Sequence, residues 1–574
     1  VSITATPSLP LRWLVPAVAV AWLGVVLTAG GPPTLVGDGA EYFTTAVAVA
    51  QGAVPPFAAD ELARAQDVLA ARESRFRTWD VRAATWPARS GDRDFIHFWA
   101  YSVCAAPGVL AALRLGFDPA WAFVGLNVAL LMLATIVLAR RFGVTAAVLV
   151  CAGPIVWWSD KVHTEAFTFS MLAIATGLLS LAPHWAMVAI GLAATQNPPL
   201  AILLVPWAAA GWHVGAIRSP RQFASGLAAG VAIAAAHPVY YLIAFGRVSL
   251  LTSGSRGVIP TAQEVGAVLW DTNLGLIPGD PVFVMAVVVA LGAVGLSRLR
   301  VWRDPEVLAS AAAVAVILGA AAQTTNIQHG GTPGISRYAL WLLPFAAPLV
   351  HLACRGRVAH RVCGLLAVVS AAVCLVAYRP AVAEGAYRPS ILSRVLWTRY
   401  PSLVNPLPEV FSETVTRIDG PITVPVALSG CEKALLLGGI RRRGLWPIPC
   451  YPSIGLPSEC RGGGALCYAN RESGGFTYGT VARPRGMDIQ YDPTRAWTVE
   501  AEPAIRRAYD EAGWWTLRPG DEFDVTRAVR QVTGVDQLWH FQSDRAVLLV
   551  ARGIAPRAFV SVRPPRPMSG VVMD

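Results

Sequence analysis

Charge is what this sequence lacks most. Of its 574 residues only 14% are Asp, Glu, Lys or Arg, while 54% are hydrophobic. An average soluble domain carries about 25% charged residues. A water-soluble protein of this size is therefore excluded. The deficit is uneven: from Leu11 to Tyr378 charges are confined to short stretches, and from Arg379 to Asp574 their density is ordinary. The chain divides accordingly into a membrane part, 1–378, and a soluble part, 379–574. Other absences narrow the reading further. No A-x-A-type site follows Leu11–Ala29, which reads as a signal anchor. No C-x-x-C spacing occurs, which argues against zinc. No internal repeat stands out, which argues against a transporter or lipid flippase built from repeats. The formal net charge of +11 does not indicate nucleic acid, because the basic residues sit in short clusters between apolar runs.

What is present is an α-helical polytopic pattern of about eleven apolar runs, from Leu11–Ala29 to Val362–Tyr378. Arg140/Arg141, Arg218/Arg221, Arg298/Arg300/Arg303 and Arg355/Arg357/Arg361 fall in alternate connections. The positive-inside rule puts these clusters and the N-terminus in the cytoplasm, and the C-terminal part outside. Trp185–Gln196 and Pro199–Gly215 count as two spans joined by Asn197-Pro198. The long first outer loop, 30–116, contains a helical stretch at Asp60–Arg77. Phe95–Leu115 is apolar enough to span, yet a span there would break the parity. It is expected to be a juxtamembrane or re-entrant element.

The remaining ionisable residues gather in the outer connections, where they are costly and often functional. Asp38 and Glu41 lie three apart in GDGAEY; a helix start there aligns both carboxylates on one face, or makes them a capping pair. The turn SDKVHTEAF carries Asp160, Lys161, His163 and Glu165, with Thr164 as a possible helix cap. His329 opens a Gly-rich loop that ends in Arg337-Tyr338; backbone N–H groups and a guanidinium can hold phosphate. Trp270-Asp271 offers an aromatic and an acid to a sugar, or an interfacial belt residue.

GDGAEY after the first helix, the long outer loop, SDKVHTEAF and SRYALWLLPF together resemble the GT-C superfamily of integral membrane glycosyltransferases. Protein O-mannosyltransferases and the lipid A aminoarabinose transferase are the nearest flavour. The resemblance covers Leu11 to Tyr378. The adjacent Asp-Glu pair of the family is absent, since Asp38 and Glu41 are separated. The resemblance implies a polyprenyl-phosphate-linked sugar as donor, used with inversion at the outer face of a bacterial inner membrane. The acceptor is a glycan, lipid or protein hydroxyl. It implies Asp38 as the base, with Glu41 or Asp160 as alternatives. It implies Arg337 on the leaving phosphate, with Lys161 or Arg256 second. Asp160, His163 and Glu165 then position substrate or hold a divalent metal, which only some members use. A non-catalytic assembly protein on the same scaffold is the further alternative.

The soluble part is expected to be extracytoplasmic and mixed α/β or mostly β. Ala546–Ala551 is a short apolar run, strands are expected near Phe559–Val562, and short helices at Ala504–Ala512 and Val525–Val532. Cys431, Cys450, Cys460 and Cys467 suit two disulfides in an oxidising compartment. The five other cysteines lie in or beside apolar runs and read as packing residues.

Overall fold

A computed structural model describes residues 10–213, 219–250, 260, 262–296, 303–324, 327, 332–382, 388–400, 403–417 and, beyond these, short segments and strands between 426 and 562. The chain forms two compact units, Val1–Ala386 and Tyr387–Asp574.

The first unit is helical. Its opening helix α1 (Leu11–Ala29) buries only Leu14, Val18 and Trp22, a stripe at i, i+4, i+8. The rest of its surface is apolar and open, with Leu27 80% exposed. Such a surface is stable in lipid, not in water. The long first connection follows. It holds α2 (Gly39–Ala50), α3 (Ala59–Arg72) and α4 (Ala100–Leu115). The expected Asp60–Arg77 helix is thus α3 followed by a 3-10 turn at Ser74–Thr78. Next come α5 (Ala120–Phe142) and α6 (Val144–Cys151), the latter continued by a 3-10 turn at Pro154–Asp160. Then follow α7 (Glu165–Leu178), α8 (Pro183–Gln196), α9 (Leu204–His213) and α10 (Pro220–Phe245). The last group is α11 (Ala262–Trp270), α12 (Leu276–Gly279), α13 (Pro281–Leu296), α14 (Pro305–Ala322), α15 (Arg337–Leu340), α16 (Ala347–Ala353) and α17 (Arg357–Ala377).

Among the described residues, five helices are long and apolar enough to cross a membrane: α1, α5, α10, α14 and α17. The chain is an α-helical membrane protein. The other expected spans are shorter or broken. Proline explains two breaks: Asn197 ends α8 before Pro198, and Pro344 lies in the 3-10 turn between α15 and α16. The segment 95–115 becomes α4, a 16-residue helix. It is shorter than the roughly 20 residues a spanning helix needs.

Packing in this unit uses small residues. A Cβ on Gly191 of α8 would lie 2.5 Å from the Gly230 carbonyl of α10, and one on Gly230 would lie 2.5 Å from the Met187 carbonyl. Close backbone approach of this kind is how helices associate where lipid replaces water. His184 faces Gly226 and Thr195 meets His237, so α8 and α10 run parallel. The loop from Leu178 to Pro183 turns α7 into α8.

The second unit contains helices Ile391–Arg399 and Pro408–Thr416, with Trp397 packed on Phe411. Its strands form two antiparallel sheets, one of five strands between Val426 and Ala482 and one of three. The three-stranded sheet contains Phe559–Val562, at the expected place, and Val547–Ala551, within the apolar run. The expected helices at 504–512 and 525–532 lie outside the described residues, as do Cys431 and Cys460. Cys450 pairs in register with Ala465, and Cys467 with Ile448. Cys450 and Cys467 thus lie on neighbouring strands of one sheet. No disulfide occurs among the described residues, and the five membrane-part cysteines are free thiols.

Candidate functional site

The first and second outer connections are joined by backbone. Thr34–Leu35 pairs in parallel with Lys161–Val162. Gly37 adopts φ +48°, and a Cβ on Gly39 would stand 2.5 Å from the Val162 carbonyl. The two glycines flanking Asp38 thus allow a left-handed turn and then let the start of α2 press against the second connection. This brings GDGAEY and SDKVHTEAF together.

Capping does not occupy the key acids. Asp38 stands at the N-cap of α2 and Thr164 at the N-cap of α7, but neither makes a side-chain cap bond. Both acids of GDGAEY turn instead to His97. His97 Nδ1 lies 2.9 Å from Glu41 Oε2, and Nε2 lies 3.3 Å from Asp38 Oδ2. The same Asp38 oxygen faces His163 Nε2 at 3.9 Å. His163 Nδ1 is 3.7 Å from Glu165 Oε1, and Arg337 Nη1 is 3.6 Å from that oxygen. The other Glu165 oxygen accepts a hydrogen bond from Trp341 Nε1 at 2.7 Å. Arg337 also donates to the Tyr338 hydroxyl at 3.1 Å. The result is one continuous row: Glu41, His97, Asp38, His163, Glu165, Arg337, Tyr338.

The row is dry in its middle and partly open at both ends, Arg337 keeping 16% of its side-chain surface. Asp38, Glu41 and His97 side chains keep 17–19% of their surface, while His163 and Glu165 keep 1%. Aromatic rings wall it. Tyr42 lies edge-on to His163, with centroids 5.7 Å apart, and Trp158 lies 4.9 Å from the same ring.

Other expected residues have different places. Asp160 is 2% exposed; it binds Lys161 Nζ at 2.5 Å and the Gly31 N–H at 3.4 Å. Lys161 also donates to the Pro380 carbonyl at 2.8 Å and stands 4.8 Å over the Trp157 ring. Neighbours in sequence thus neutralise one another as a buried anchor. Asp160 makes no described contact with Asp38, so the structure does not gather it with the other candidate acids. Trp270 is 58% exposed and makes no described contact with the row. Asp271 is buried and accepts from the N–H groups of Asn273 and Leu274, at 2.8 and 3.1 Å. Burial raises its carboxyl to about 6, against the pull of those two backbone bonds. The turn it holds matters, because the Leu274 carbonyl accepts from Ser336 N–H at 2.8 Å, one residue before Arg337. Arg256 and His329 lie outside the described residues.

His97 and Trp341 were not among the residues expected from sequence. His97 sits in FIHFW, with no spacing to other ionisable groups that marks it; only its place in the long outer loop distinguishes it. Trp341 stands one helical turn after Arg337, in the same SRYALW stretch.

Asp38, Glu41 and His97 place one donor atom each within 4.8 Å of one another. Two carboxylates and an imidazole could hold a divalent cation, and that donor mix suits Mn²⁺ or Zn²⁺ better than Mg²⁺. This set differs from the Asp160, His163 and Glu165 set expected from sequence, because Asp160 is committed to Lys161.

No family model, curated protein or solved structure matches the chain.

Proposed function

We propose that the chain is an integral membrane glycosyltransferase of the GT-C type, with the row from Glu41 to Tyr338 as its active site. The single observation that carries the reading is that three separate outer connections contribute to one row, acids at one end and a guanidinium at the other. Glycosyl transfer needs those two functions side by side. A hydroxyl attacking the anomeric carbon must lose its proton, and a carboxylate takes it. The bond from that carbon to the phosphate oxygen breaks, and the phosphate leaves with the electron pair. Its added negative charge needs a cation, here Arg337. Attack opposite the leaving phosphate inverts the carbon. Asp38 is the base of choice, in the partly open part of the row that also holds Glu41 and His97. The donor is a polyprenyl-phosphate-linked sugar, the acceptor a glycan, lipid or protein hydroxyl, and the place the outer face of a bacterial inner membrane. The second unit is then extracytoplasmic.

The proposed topology has eleven passes, with the N-terminus inside and the row at the outer face. Trp22 of α1 bonds Thr135 of α5 at 3.2 Å, and Gly31 reaches Asp160, so α1 rises toward the row while α5 descends from it. At the far end of α5, Arg141 meets Glu306 at the start of α14, and the Phe142 carbonyl meets His351 of α16. Arg141 and Arg355 stand beside His351 at that end, away from Asp38, Glu41 and Glu165. Short helices complete their passes with 3-10 turns, as α6 does. The α4 helix starts level with Asn127, whose side chain accepts from Tyr101, and meets α5 again at Gly108 against Ala122. It therefore leads away from the layer that α1 and α5 share, which keeps the parity.

The test is direct. The purified full chain in nanodiscs is given farnesyl-phosphate-linked mannose, glucose or arabinose, and release of farnesyl phosphate is measured. Release that Asp38→Asn and Arg337→Ala abolish supports transfer. Full release by both variants would sink the site. Movement of intact donor between leaflets without cleavage would favour a transporter.

A further inference from the structure

Two acids on one helical turn of α2 engage opposite atoms of one imidazole, and they do so unequally. Glu41 is at 2.9 Å from Nδ1, within ordinary hydrogen-bond range, while Asp38 is at 3.3 Å from Nε2. A hydrogen on Nδ1 given to Glu41 leaves Nε2 with its lone pair toward Asp38. The partner of one ring nitrogen sets the state of the other in this way.

The pose of the ring is set from a different part of the fold. Tyr241 of α10 is fully buried, and its hydroxyl lies 3.2 Å from the Phe95 carbonyl and 3.0 Å from the Ile96 carbonyl. Tyr240 donates to Asp94, whose other oxygen accepts from the Phe95 N–H at 2.8 Å. Phe98 packs on His237, with centroids 5.2 Å apart. The segment 94–98 is thus clamped on both sides of His97 by α10.

We infer that His97 is a positioning residue, held in place by Tyr241, that makes Glu41 its anchor and reserves Asp38 as the proton acceptor. The inference rests on the glycosyl-transfer reading and deepens it by dividing the work between the two acids. The Nδ1–H bond at 2.9 Å occupies the Glu41 carboxylate. Nε2 then accepts a hydrogen bond from Asp38 once the acceptor's proton has moved to it. The proton travels from hydroxyl to Asp38, no charge is left over on His97, and the leaving phosphate carries away the electron pair. The logic matches that of an orienting carboxylate behind a histidine, with the order of groups rearranged.

Two measurements on the full chain in nanodiscs test it. The first uses ¹⁵N-histidine labelling, with the His97 signal assigned by its loss in His97→Gln. The expected spectrum shows hydrogen on Nδ1, and Glu41→Gln shifts that population toward Nε2. An Nε2–H ring unchanged by Glu41→Gln overturns the inference whether or not the protein is active. A signal displaced by stoichiometric Zn²⁺ or Mn²⁺ also overturns it, because the ring is then a metal ligand. The second uses release of farnesyl phosphate from the same sugar donors. Asp38→Asn is expected to lose about 1,000-fold or more in kcat. Glu41→Gln and His97→Gln are expected to lose about 10- to 100-fold in kcat, with the donor KM within about twofold. The double variant is expected to be no worse than His97→Gln, since the two act as one unit. Tyr241→Phe is expected to lose about 3- to 10-fold in kcat alone. Undiminished kcat in His97→Gln, or Asp38→Asn more active than Glu41→Gln, overturns the inference. If the wild type releases nothing from any donor, the transfer reading fails, and the ¹⁵N spectrum still decides the role of His97.

Discussion

The two ends of the helical unit carry charge in opposite ways. At one end Arg141 and Glu306 form a closed fork, at 3.1 Å and 2.5 Å, with one positive and one negative group matched. His351 completes it by bonding the Phe142 carbonyl at 3.0 Å. At the other end three carboxylates meet two histidines and one arginine; His97–Glu41 is at 2.9 Å and the other four separations lie between 3.3 and 3.9 Å. A short matched pair is at its energy minimum and has nothing left to bind. A loose, mismatched row keeps capacity for a proton or for an anionic group. The comparison assigns holding the fold to the first and chemistry to the second.

The sharpest way to break that comparison is to neutralise one group at each end. Asp38→Asn keeps shape and removes the proposed proton acceptor. Its expected effect is a loss of about 10³-fold or more in transfer, some 4 kcal/mol, with the melting temperature in detergent unchanged. Arg141→Ala should do the reverse. It leaves Glu306, whose side chain is 5% exposed, without its cation. Breaking a buried pair on one side costs about 3–5 kcal/mol. A clear fall in melting temperature is expected, with the kcat of the surviving folded fraction intact. If Asp38→Asn unfolds the protein or Arg141→Ala spares stability, the two ends are not different in kind.

Asp94 stands between the two cases, since it is buried beside the row yet serves the fold. Burial lifts its carboxyl from 3.8 to about 7, against the Tyr240 bond that stabilises the anion. The folded state therefore holds a proton that the unfolded chain has lost. Below about 3.8 the group is protonated in both states and carries no penalty. Between there and about 7 the penalty grows, and above 7 it is complete. Asp94→Asn removes it, while its amide oxygen still accepts from Tyr240. The variant is expected to gain stability over wild type as pH rises from 4.5 to 8, by roughly 4 kcal/mol at most. Melting curves at several pH values check this, and a gap independent of pH would contradict it.

Much of this arrangement was legible in the residues, and the parts that were not have a physical cause. Charges that remain in an apolar chain are rarely accidental, so GDGAEY, SDKVHTEAF and SRYALW stood out, and Asp38, Glu41, His163, Glu165 and Arg337 meet. Asp160 and Lys161 stood out by the same rule but cancel each other locally, which density of charge cannot distinguish from a site. His97 joins Glu41 across 56 positions, and no local periodicity encodes such a contact. Span length was the least readable feature. Hydropathy counts apolar residues, whereas Pro344 divides the Tyr338–Leu352 run into two short helices and a 3-10 turn; only the break at Asn197-Pro198 was legible in the residues.

The smallest effect tests whether the loose end is built with any care. Asp271 touches none of the row, yet it holds the turn 271–275, and Leu274 of that turn fixes Ser336 beside Arg337. Asp271→Ala removes the acceptor from two buried N–H groups. Each is worth about 1 kcal/mol or more when left unmade, so a modest fall in melting temperature is expected. The informative quantity is kinetic. A guanidinium displaced by a fraction of an ångström binds the ground-state phosphate almost as well, yet meets the departing, more charged phosphate poorly. About a tenfold fall in kcat with a nearly constant donor KM is therefore expected. Asp271→Asn keeps one acceptor oxygen and should recover most of the loss. Equal damage in both variants, or damage confined to KM, would mean that Arg337 does not depend on the turn and that the loose end tolerates misplacement.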